Sequence, residues 1–453
     1  MASLPLEIIH RIFQFVATDE DNQCELLSSS AYWSCPLRTQ EVLWTHRIDV
    51  ERRAWNTWVT FRMLCRACNE LISDQMGHSA VDVGTETDFR IVVPRGQSRS
   101  TSLKRFRAFD MAGCFDDLWS ILNVNNETME SFFVERGNAP NEIECGYSLP
   151  SAGLVYSTFP RLTTFTHRTN AATEWFSFRN LVELLRYSPE LKHLTIFQLA
   201  GPQSEEDASQ LMQNQGAPAC QLSSLHIRRV RRMNGEMLKH IVANSHESLW
   251  QLTFVLESAV SIFTRSHLVD RGVARAMDIC DAFEPCKQIE TLRMADLMYD
   301  GSPSVGEQRR EVFNRESPLS SVVEKLTSGL THLQTLELCG TIKLEALYDR
   351  HEILVPFKLK SLFIDRYYQY RFDRVGFQLR RDKGPFSQLE KLALDEQVEF
   401  NALADASEWE RFRETCQRRG VQLRIHRDNP LRNLEVEPDS LAAQFERLAV
   451  QPL

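Results

Sequence analysis

Apolar and polar positions along most of this chain follow one short phrase, apolar-x-x-apolar-x-apolar. Clear copies read Leu191-x-x-Leu194-x-Ile196, Leu222-x-x-Leu225-x-Ile227 and Leu249-x-x-Leu252-x-Phe254. Four more begin at Ile289, Leu333, Leu359 and Leu389. Weaker copies begin at Phe106, Met129 and Leu162, and a fragment, Val421-x-Leu423-x-Ile425, closes the series. The last two apolar positions of each copy alternate as on one face of a strand. Taken singly, the phrase says little. With 43% hydrophobic residues, three apolar positions coincide in roughly 8% of windows by chance.

The order of elements says more. A helix-like stretch and a turn precede several copies: Ser177–Pro189 before Leu191, Met237–Val242 before Leu249, and Val322–Leu326 before Leu333. Trp409, Phe412 and Cys416, then Gly420, stand before Leu423 in the same way. Helix, turn and short alternating strand in repetition predict a solenoid. Starts at 191, 222 and 249 lie 31 and 27 residues apart, and those at 333, 359 and 389 lie 26 and 30 apart. Steps of 40 and 44 residues, from 249 to 289 and from 289 to 333, imply insertions. The expected architecture over 103–427 is a curved stack, with a parallel sheet on the concave face and helices outside. An ordinary α/β domain with parallel strands fits the same grammar. In the tail, 428–453, Leu441, Phe445 and Leu448 at helical spacing suit a short capping helix.

The chain opens differently, with the stretch LPLEIIHRIFQFV over residues 4–16. Pro5 sits in the first turn of a predicted helix, where a missing N–H costs nothing. Ile8, Ile9, Ile12, Phe13, Phe15 and Val16 then cover most of its surface. A stripe would suffice to pack on one core, so wide coverage predicts burial on two sides. The plainer alternative is a core helix of a self-contained domain. A second helix, FRMLCRACNELISD over 61–74, sets Phe61, Leu64, Cys65, Cys68, Leu71 and Ile72 on one face. Residues 17–60 between them carry Trp33, Trp44, Trp55 and Trp58, a content that predicts packing rather than a loose loop. Residues 76–102 are polar and rich in breakers and read as a linker, with a possible short strand at Asp88–Val93.

These two opening stretches resemble the F-box, the adaptor-binding module of SCF-type ubiquitin ligases. The first follows the family's Leu-Pro-x-Glu-Ile-x-x-x-Ile-x-x-Phe/Leu pattern. The second is similar to its Leu-x-x-Val-Cys-Arg-x-x-Asn helix, departing where Cys68 replaces a frequent aromatic and where the 17–60 insert intervenes. The resemblance covers residues 1–75. It implies that Leu4, Pro5, Ile8, Ile12, Phe13, Val16, Leu64 and Leu71 dock on a Skp-type adaptor, which leads to a cullin scaffold and a RING subunit.

The phrases beyond resemble leucine-rich repeats, a class with a period of about 20–29 residues. The Asn or Cys expected after each strand is mostly missing. Only Cys114 and Asn170 stand there, while Leu199, Val230 and Leu297 occupy the place in other copies. The combination resembles the F-box/LRR class, especially its divergent fungal members. It implies an α/β chain, with an N-terminal helical F-box module followed by an irregular leucine-rich-repeat-like solenoid. It also implies a non-catalytic substrate receptor whose target protein sits on the repeats.

Charge narrows the choice of partner. Against 52 Lys+Arg stand 61 Asp+Glu, a net charge of -9, which argues against nucleic acid or an anionic membrane surface. The 11 cysteines form no dense framework, no signal-like segment precedes the first helix, and no apolar run approaches the ~18 residues of a membrane span. The expectation is reduced thiols in the cytoplasm or nucleus. The glycosylation-type triplet Asn126-Glu127-Thr128 is then idle.

Motifs of catalysis are not found: no P-loop, Rossmann glycines, Gly-x-Ser-x-Gly elbow or His-Glu-x-x-His. Cys65-x-x-Cys68 lacks the two further ligands a structural zinc needs, and Cys280 and Cys286 read as core thiols. No catalytic residue, metal or cofactor is expected. Two stretches suit binding. Arg228, Arg229, Arg231 and Arg232 stand at the end of a predicted strand, and arginine clusters grip carboxylate or phosphate through paired donors. A solvated charged loop is the alternative. Tyr367, Tyr368, Tyr370 and Arg371 follow another strand and should project from the rim; tyrosine and arginine dominate binding hot spots.

Overall fold

The computed structural model describes residues 80–83, 104–108, 124–136, 158–169, 176–202, 204–228, 230–231, 233–256, 279–296, 318–340, 359–365, 372–381, 384–395 and 406–426. The F-box-like stretches, with Leu4, Pro5, Ile8, Ile12, Phe13, Val16, Leu64 and Leu71, lie outside these residues, as does the tail.

Among the described residues, twelve strands form one sheet. They are β1 (Ala80–Val83), β2 (Arg105–Ala108), β3 (Ser131–Arg136), β4 (Thr164–Thr169), β6 (His193–Ile196) and β8 (Ser224–Arg228). The sheet continues with β10 (Gln251–Leu256), β11 (Thr291–Asp296), β12 (Thr335–Gly340), β13 (Ser361–Asp365), β14 (Lys391–Asp395) and β15 (Gln422–His426). Their order in space is their order in the chain, and every neighbouring pair is parallel. A doubly wound sheet would reverse direction at a switch point; this one never does, which favours the stack over the ordinary α/β domain. The sheet begins inside the stretch that reads as a linker, because β1 pairs with β2.

Parallel neighbours need crossovers, and helices supply several. These are α1 (Phe178–Tyr187), α2 (Glu205–Gln215), α3 (Gly235–Val242), α4 (Pro318–Thr327), α5 (Phe372–Arg380) and α6 (Ala406–Arg418). Ser177, Ser204 and Asn234 cap α1, α2 and α3 by accepting the N–H groups of Asn180, Asp207 and Met237. Gly420 ends α6 at φ 69°, a left-handed conformation that glycine adopts without strain. No helix among the described residues is long and apolar enough to cross a membrane.

The core lies between sheet and helices. The fourth position of the phrase forms an unbroken row, Phe106, Phe132, Phe165, Leu194, Leu225, Leu252, Leu292, Leu336, Leu362 and Leu392, each fully buried. At the amino end of the chain the row is aromatic. Phe106 and Phe132 stack at 5.5 Å between centroids, and Phe132 and Phe165 at 5.6 Å. Phe106 therefore holds the fourth place of its copy, in register with Phe132, and not the first place that the sequence pattern suggests. Leu181, Leu185, Met237, Ile241, Val323 and Phe412 close the same core from the helix side. Each buried Leu or Phe contributes about 1.5–3 kcal/mol relative to exposure.

Two serines, Ser245 buried and Ser248 half-buried, hold the backbone just ahead of β8. The N–H of Leu222 donates to Ser245 Oγ at 2.8 Å, and Ser248 Oγ donates to the carbonyl of Leu222 at 2.9 Å.

Candidate interaction face

Strand alternation sends the fifth position of each phrase to the face away from the helices, the far face. Register places Thr166, Thr195, His226, Thr253, Arg293 and Glu337 in one row across six neighbouring strands. All six are buried. At its last two places the Arg293 guanidinium meets the Glu337 carboxylate at 2.9 Å, with side-chain exposures of 1% and 3%. Desolvation offsets much of the attraction in such a pair, so its value lies less in net stability than in the penalty for separating the partners. Here it ties β11 to β12 in one register. Next to it, toward the carboxyl ends, Val255, Ala295 and Cys339 form a small buried apolar ladder on β10, β11 and β12.

A second, smaller sheet begins where β4, β6 and β8 end. It consists of β5 (Phe176–Ser177), β7 (Leu199–Ala200) and β9 (Val230–Arg231), again parallel and in chain order. At this corner Phe197, which directly follows β6, touches two side chains of β8. The His226 ring lies 5.3 Å from its centroid, and the Arg228 guanidinium carbon 5.1 Å.

Part of the basic stretch is strand. Arg228 ends β8 and is half-buried, and Arg231 belongs to β9, with its side chain outside the description. Arg229 and Arg232 lie outside the described residues, as do Tyr367, Tyr368, Tyr370 and Arg371 in the chain between β13 and α5. Sequence reading passed over Phe197, His226, Arg293 and Glu337. The available signal was register: all but Phe197 are the polar fifth position of a clear copy.

Burial also sets the titratable groups. Desolvation lowers His167 to about 4, although a backbone hydrogen bond opposes it. The same effect raises the thiols, to about 11 for Cys280 and about 12 for Cys220, Cys286 and Cys416. At neutral pH these four are protonated core side chains and poor nucleophiles. Among the described residues, no three His, Cys, Asp or Glu side chains come together as metal ligands would.

No protein-family model matches the chain, and no curated protein matches it in sequence. Among solved structures, the chain is similar to a leucine-rich repeat-containing protein, LegL7 from Legionella pneumophila. That match has 10% identity and a TM-score of 0.33, over 78% of this chain and 84% of the other. At that distance the likeness transfers neither fold nor function.

Proposed function

We propose that this chain is a non-catalytic substrate receptor of an SCF-type ubiquitin ligase, working in the cytoplasm or nucleus. The opening helices hold a Skp-type adaptor through Ile8, Ile12, Phe13 and their neighbours, and so reach a cullin and its RING subunit. The strand stack holds the target protein. The mechanism is tethering: it raises the local concentration of target lysines at the charged conjugating enzyme, with no covalent step on this chain.

The observation that carries the reading is the F-box-like pair of sequences ahead of an in-order parallel stack. Such a stack supports a binding role, because repeats differ at one rim while sharing one core. The second reading, a protein-interaction scaffold unconnected to ubiquitin, takes the opening helices as a cap on the first strand. Solenoids need such caps.

Co-purification with the adaptor separates the two. The native chain should retain it, and Ile8→Asp with Ile12→Asp should lose it while circular dichroism and melting of the repeats stay unchanged. A native, folded chain that ignores the adaptor would establish the scaffold reading instead.

A further inference from the structure

The stack ends differently from the way it runs. From β3 to β14, every fourth and sixth position of the phrase is no more than 3% exposed. Leu423 and Ile425 hold these places in β15 and pack against the same core, yet they are only half-buried. Among the described residues, β15 is also the last strand of the main sheet. Gln422 donates its N–H toward β14, to the carbonyl of Glu390 at 2.8 Å. Alternation along the strand then turns the N–H groups of Leu423 and Ile425 to the outer edge. An edge that joins outward N–H groups to half-buried apolar side chains is a template for one more strand.

The chain supplies a match a few residues on. Past β15, outside the described residues, the sequence spells the apolar phrase once more, as Leu431-x-x-Leu434-x-Val436. Leu434 and Val436 alternate with Asn433, Glu435 and Glu437, the period of a strand with one apolar face. The connection fixes its direction. A parallel neighbour needs a crossover of about a dozen or more residues, and only residues 427–432 separate His426 from Asn433. They include Asp428-Asn429-Pro430, residue types that turn a chain. Tethering selects the occupant. So short a connection holds the segment at an effective concentration in the millimolar range, which a second copy of the chain would have to reach in solution.

We infer that residues 433–437 close the main sheet as an antiparallel strand on the outer edge of β15, with Leu434 and Val436 set beside Ile425 and Leu423. The inference does not depend on the ligase reading. It leaves the last edge of the stack occupied by the chain itself rather than open to a target.

The test is amide hydrogen exchange of the full chain, read at Leu423 and Ile425. Exchange there is expected to be slow in the native chain and about ten-fold faster or more in Leu434→Asp with Val436→Asp, while the amides of β8 and β10 keep their native rates. Leu441→Asp with Phe445→Asp, farther along the tail, should leave both amides as they are. Fast exchange in the native chain, or no acceleration in the first double variant, would overturn the inference. So would protection lost with Leu441 and Phe445 instead, which would assign the edge to that later amphipathic stretch. Protection that fades on about ten-fold dilution would assign it to a second copy and overturn the inference as well. Should the first double variant not fold, Leu434→Ala is read in its place, and unchanged exchange at both amides would refute the closing strand.

Discussion

The amino and carboxyl ends of the strands in the main sheet obey different constraints. At the amino ends, the backbone repeats itself. From Lys104 to Lys360, the carbonyl just before each strand accepts two successive N–H groups from the next copy. Trp250 takes those of Glu290 and Thr291, and Glu290 takes those of Gln334 and Thr335. The adjoining core row is only Phe and Leu. At the carboxyl ends, length and chemistry vary. Two residues separate β6 from β7, whereas 257–278 and 297–317 separate β10 and β11 from the next described helical residues. The core row on that side runs Val134, His167, Ile196, Ile227, Phe254, Met294, Leu338, and so admits even a histidine. Fold-determining contacts therefore concentrate at one rim, and the other is left to change.

The largest expected effect comes from lengthening the two rims. Four Gly-Ser residues placed between Lys287 and Gln288 should displace Ile289, which is fully buried, and take Glu290 from the Trp250 carbonyl. The cost should exceed about 3 kcal/mol, or β11 should fail to pair. The same insertion between Gly201 and Pro202, which follow β7 outside any strand or helix and are half-buried, should cost under about 1 kcal/mol, since loop closure depends only weakly on length. Urea unfolding reads both, and equal costs would erase the distinction.

The middle of the strands comes next. Glu337→Ala leaves the Arg293 charge buried without its carboxylate and should cost about 3–5 kcal/mol. Arg293→Met together with Glu337→Leu should recover most of that. A loss below about 1 kcal/mol for the single change would mean the pair is solvated and pins nothing.

The smallest effect is the histidine in the carboxyl-side row. His167 is neutral in the fold, with its pKa lowered from 6.5 to about 4. The unfolded chain therefore binds the proton first as pH falls. Stability is complete above about pH 6.5 and declines toward pH 4, by up to roughly 3 kcal/mol from this group. Denaturation midpoints between pH 7 and 4.5 should flatten in His167→Leu relative to the native chain. Parallel curves would show that His167 is not the group responsible.

Much of the stack was legible in the sequence because leucine spacing and strand alternation are local signals. Each clear copy from Leu191 to Leu389 becomes a strand in the expected register. The rest was hidden for particular reasons. Phe106 satisfies the apolar pattern in more than one frame, and only pairing with Phe132 settles which. The two-residue strands β5, β7 and β9 are too short to show any period. Arg293 and Glu337 are charged residues at a polar position, where the default expectation is exposure. Their burial depends on neighbours far away in the chain, as does that of Phe197.

The shared carbonyls at the amino rim also bear on how the molecule would come apart. In the main sheet, each strand is hydrogen-bonded only to the strand before it and the strand after it, so cooperativity passes from neighbour to neighbour rather than through a common centre. Pulled from its two ends, such a stack should yield in a series of separate force steps. Severed between β11 and β12, where the connecting chain is longest, it should leave two shorter stacks, each retaining its own slow-exchanging amides.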